Sequence, residues 1–121
     1  MRRRDFERLV AEVLDSLPPE FQEVLEQVAV VVEDWPTPDQ LRAVGLDEDD
    51  TLYGLYEGTP LVERGLDLPP VPDRIVIFRG PLLEDCASDD ELREEIRTTV
   101  LHELAHFFGL DEDRIAELGY E

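Results

Sequence analysis

Two apolar spacings alternate along this chain, and an α+β architecture accommodates both. Phe6, Leu9, Val10, Val13, Leu14 and Leu17 recur at the intervals that line one face of a helix, here over residues 5–17. Pro18 ends that helix, and Pro19 opens a short second one that turns Phe21, Val24 and Leu25 inward. The β-branched run Val28 to Val32 then reads as a buried strand, closed by Asp34 to Pro36. Thr37, Pro38 and Gln40 supply a capping hydroxyl, a helix-starting proline and the third member of a capping box, so a short helix is predicted to about Val44.

Further strands are predicted over Leu52 to Tyr56 and Arg74 to Phe78, joined by a proline-bearing loop, residues 57–73, long enough to form a functional rim. The acidic stretch Asp47 to Asp50 reads as a solvated loop. Ser88 and Glu91 make a second capping box, opening a helix that carries Ile96, Val100, Leu104 and Phe107 on one side and ends at Gly109. The expectation is a single small α+β domain over residues 1–121. Its mixed sheet of about three strands packs against the last long helix and the N-terminal helices. A chain of 121 residues buries roughly two thirds of its unfolded surface, enough for one modest core.

Charge narrows the partners. The net charge of −20, with all eleven basic residues arginine, argues against nucleic acid, whose phosphates need clustered cations. It favours metal ions and basic peptides instead, although a merely solvated surface is also acidic. The opening MRRRDFER is basic like a signal-peptide start, but Glu12 and Asp15 interrupt the apolar stretch after it, so an amphipathic helix is expected there. No apolar run approaches the roughly 20 residues of a membrane span, and the lone Cys86 has no disulfide partner within the chain. A cytoplasmic protein without a membrane partner is expected, as a monomer or a homodimer. The absence of lysine and asparagine suits a heat-adapted source and equally a GC-rich coding sequence.

Both histidines of the chain lie in His102-Glu103-Leu104-Ala105-His106. Four residues apart on a helix means one turn apart on the same face, so both imidazoles can reach one ion. Zinc accepts imidazole nitrogen, and a catalytic zinc takes three protein ligands while keeping a fourth position for water. Glu103, about 100 degrees around the helix from His102, can contact that water without binding the metal. With no third histidine, a downstream carboxylate completes the set. Gly109 can take positive φ and turn the chain back, which makes Asp111, Glu112 and Asp113 the candidates. Asp111 sits where it would cap a short terminal helix, Glu112 to Leu118.

The stretch HELAHFFGLDED has the form His-Glu-x-x-His-x-x-Gly-x-x-acid and resembles the zincin metallopeptidases whose third ligand is acidic, more narrowly the bacterial mini-zincins. The resemblance implies a zincin-like fold, one zinc per chain and hydrolysis of peptide or protein substrates. It implies His102, His106 and Glu112 as ligands, with Asp113 as the alternative third, and Glu103 as general base and acid. The family usually has Asp where this chain has Glu112. The methionine turn of many zincins is absent, since the only methionine is Met1. The mini-zincin resemblance implies that Tyr120 supports the site from beneath; it could instead donate to the developing oxyanion or simply pack. By the same resemblance an extended substrate pairs with a strand edge, for which Arg74 to Phe78 is the candidate. The alternative function is a catalytically weak or inactive metal-binding module on the same scaffold.

Overall fold

The computed structural model describes residues 1–58, 73–109 and 111–117, without the side chains of residues 112, 115 and 116. The elements run α1 (Arg3–Asp15), α2 (Pro19–Leu25), β1 (Ala29–Glu33), α3 (Pro38–Ala43), β2 (Gly54–Glu57), β3 (Arg74–Phe78), α4 (Arg79–Asp85), α5 (Asp89–Phe107) and α6 (Glu112–Glu117). The strands form one mixed sheet in the order β1-β3-β2, with β1 parallel and β2 antiparallel to β3. This is the expected small α+β arrangement. The greater part of the loop predicted over residues 57–73, and the far end of the terminal helix, lie outside the described residues.

The central position of β3 follows from its composition. Ile75, Val76, Ile77 and Phe78 are all fully buried, as a strand covered on both faces requires. On one face Ile75 and Ile77 join Val28 and Val32 of the β1 segment, Phe6, Leu9, Val10 and Val13 of α1, and Ile96, Val100, Leu104 and Phe107 of α5. On the other, Val76 and Phe78 meet Leu55, with Val31 and Leu52 beside them. The apolar spacing of α1 and α5 is therefore what places the long helix across the sheet.

The caps are local and sequence-encoded. Thr37 and Gln40 form the reciprocal box, with Gln40 N–H donating to Thr37 Oγ1 at 3.1 Å and Thr37 N–H to Gln40 Oε1 at 2.9 Å. Ser88 accepts from Glu91 N–H, but the Glu91 carboxylate accepts from Ala87 N–H at 2.7 Å, one residue earlier than a capping box has it. α4 has no counterpart among the elements expected from the sequence; Pro81 sits in its first turn, where a proline removes only an N–H that has no helical partner. The start of α4 is tied to the exit of β1. Gly80 N–H donates to the Asp34 carbonyl at 2.8 Å and Arg79 Nε to Asp34 Oδ1 at 2.9 Å. The Trp35 ring lies so close that a Cβ on Gly80 would come within 2.3 Å of it.

Ile77 reports how far the core depends on β3. Ile77→Ala is expected to lower the unfolding free energy by about 2–5 kcal/mol, read as a fall in the urea midpoint at unchanged slope. A loss below about 1 kcal/mol would contradict a centre of packing there.

Candidate metal centre

α5 carries its site on two adjacent stripes. Leu92, Ile96, Thr99, Val100, Glu103, Leu104 and Phe107 are buried, so Glu103 lies on the core-facing side, 8 % exposed. His102 and His106 flank it, half-buried, with ring centroids 4.9 Å apart. One potential ligand atom from each of His102, Glu103 and His106 lies within 4.8 Å of the others, and His102 Nε2 stands 3.8 Å from Glu103 Oε2. Two imidazole nitrogens one turn apart are donors that suit zinc, with the Glu103 carboxylate standing beside them. The site thus fits a divalent metal on its own chemistry.

A buried carboxylate is costly without a donor, and β2 provides one. Tyr56 N–H donates to Glu103 Oε1 at 2.8 Å. The pairing of Phe78 N–H with the Tyr53 carbonyl sets the alternation of this antiparallel ladder, so the backbone groups of Gly54 and Tyr56 point away from β3. Tyr56 is fixed twice more: its ring packs edge-on against Phe107 at 5.9 Å, and its hydroxyl donates to Asp73 Oδ1 at 2.6 Å. Gly54 permits the approach, since a Cβ there would stand 2.5 Å from Thr99 Cγ2. A glycine inside a strand is a sequence sign of such close contact.

A cleft of about 220 Å³ opens beside His102, between Leu52–Gly54 and the Glu95–Glu103 side of α5. The Tyr53 hydroxyl at its rim donates to Asp85 Oδ2, and this hydrogen bond, with burial, pushes the phenol up to about 12. Past α5, Gly109 takes φ 83, and Asp111 Oδ1 accepts from Arg114 N–H at 2.9 Å, capping α6. Asp113 is exposed and stands outside the histidine group. The Glu112 side chain and Tyr120 lie outside the described residues.

A family model described as zincin-like metallopeptidase matches residues 25–120. The chain belongs to that family. Among solved structures, this zincin-like chain is similar to a conserved hypothetical protein from Thermo thermophilus, with 26 % identity over 99 % of this chain and 100 % of that one and a TM-score of 0.57. No curated protein matches it. No helix among the described residues is long and apolar enough to cross a membrane.

One sequence expectation is corrected. The strand Arg74 to Phe78 cannot offer an edge, because β3 is paired on both sides; the edge nearest the histidines is β2. Apolar pattern marks a buried strand but not its neighbours, and a fully apolar run argues for the centre of a sheet. Tyr56 escaped sequence reasoning because its contribution to Glu103 is a backbone N–H.

Gly54→Ala should force β2 away from α5, cost about 1–3 kcal/mol and speed hydrogen exchange at the Tyr56 amide. Adding Thr99→Ser, which deletes the clashing methyl, should restore slow exchange; exchange unchanged by Gly54→Ala would refute the close-approach account. Tyrosinate absorbance should show Tyr53 ionising at about 12, and Asp85→Asn should bring it back toward 10. Because the native phenol holds its proton more tightly than the unfolded one, this contact stabilises fully below pH 10 and is lost as pH rises through 12.

Proposed function

We propose that this chain is a zinc-dependent peptidase. The observation that carries the reading is the group of two imidazoles and one carboxylate on a single helix, beside the β2 strand that is outermost among the described residues, in a chain of the zincin-like family. His102 and His106 hold the metal through ring nitrogens. Glu112 is the third ligand, with Asp113 as the alternative. When bound, zinc supplies Lewis acidity, bringing the pKa of a water toward about 7 and polarising a carbonyl.

Glu103 handles the protons. It takes one from the attacking water and returns one to the leaving amine, so a single carboxylate serves as general base and then general acid. Tyr56 N–H holds Oε1, and Oε2 stands on the histidine side, 3.8 Å from His102 Nε2. An extended peptide pairs with the outer edge of β2, where the backbone groups of Gly54 point outward. Tyr120 supports the site or donates to the oxyanion. The net charge of −20 favours basic peptide or protein substrates over nucleic acid. The protein works in the cytoplasm, away from membranes, as a monomer or homodimer.

A second reading, a metal-binding module with weak or no catalysis, draws on the small cleft. Its volume of about 220 Å³ falls below the roughly 300–1,000 Å³ of small-molecule pockets.

Mass spectrometry under native conditions should find about one zinc per chain, lost in His102→Ala. Glu103→Gln should keep the zinc and lower hydrolysis by about 10²–10⁴-fold. Retention of zinc by His102→Ala would refute the coordination. A zinc-loaded protein that cleaves nothing in a diverse peptide library would favour the second reading.

A further inference from the structure

Building on the peptidase reading, we infer that Glu95 selects substrates: the cleft that runs along α5 from the candidate metal centre is a pocket for an arginine or lysine side chain. Glu95 precedes His102 by seven residues, close to two full turns, so both face the same side of α5 with about 10 Å between them along the axis. The cleft of about 220 Å³ fills that interval. Leu52 and Tyr53 wall one side, and Thr98 and Thr99 the other. At the end near the metal centre is Glu103, engaged by Tyr56 N–H; at the far end is Glu95.

A passage whose walls offer Leu52, the Tyr53 ring and threonine methyls, with a carboxylate at the end away from the metal centre, suits a side chain with an alkyl stem and a terminal cation. A short or neutral side chain could not span the interval and meet the charge. The Glu95 charge is also not committed to a cation within the cleft. Glu7, Glu12, Glu33 and Glu57 each stand beside an arginine, whereas Glu95, half-buried, forms no ion pair among the described residues. Its field reaches both neighbours at that end. The Tyr53 phenol, raised first by its bond to Asp85, and the Cys86 thiol, raised first by burial, are each raised further by Glu95. A negative charge that makes nearby protons harder to remove equally attracts a guanidinium or ammonium.

The test uses the full chain, zinc-loaded, as Glu103→Gln, so that binding is read apart from hydrolysis. A single Arg is walked along an otherwise neutral peptide, with citrulline, its uncharged near-isostere, in the same positions, and affinities are measured by fluorescence anisotropy. In one register the Arg peptide should bind about tenfold tighter than its citrulline twin, and Glu95→Gln should erase the difference. Glu23→Gln, which removes the same charge from the exposed surface of α2, should keep it. Equal binding of Arg and citrulline peptides in every register, or no binding, would overturn the pocket. So would a preference that survives Glu95→Gln or falls equally with Glu23→Gln. Absence of hydrolysis by the unmutated protein would instead count against the peptidase reading, with the pocket still judged by binding.

Discussion

The hydrogen bond from Tyr56 N–H to Glu103 is the contact on which the arrangement turns. α5 places a carboxylate on its core-facing stripe, between Val100 and Phe107, where a charged group without a donor would weigh against folding. A strand edge resolves this, because an outer strand has backbone N–H groups to spare. The same contact serves packing and chemistry. It satisfies a buried acid, and it sets the distance between the histidine turn and the sheet edge beside it. Gly54 makes that distance attainable by leaving room for the Thr99 methyl.

Much of this was legible in the residues. The helical recurrence from Phe6 to Val13 and the β-branched run into Val32 marked the elements that build the larger core. Thr37 with Gln40 and Ser88 with Glu91 marked two helix starts to the residue. HELAH named its own geometry, because two histidines at that spacing on a helix have one arrangement available to them.

What was not legible has physical causes. α4 is short and carries glycine and proline in its first turn, so its residues give little helical signal, although a first-turn proline behaves oppositely from an interior one. The order of strands was missed because alternation and burial describe a strand's two faces, while its two edges are decided by distant partners. Tyr56 was missed because a main-chain donor leaves no mark in side-chain identity. The second capping box was displaced by one residue because the Glu91 carboxylate found Ala87 N–H within reach.

Among the described residues the sheet has β1 and β2 as its outer strands, and the few arginines treat them differently. On β1, the Arg3 guanidinium donates to the Val32 carbonyl, while Arg74 lies between Glu33 and Glu57 at the end of the sheet. A cation laid over an outward carbonyl occupies a group that another extended chain would need, so the β1 margin is a poor place for stray pairing. Among the described residues, β2 has no such guard at Gly54. Among the described residues the sheet is in that sense one-handed: a cation obstructs its β1 flank, while at Gly54 its β2 flank carries no such obstruction.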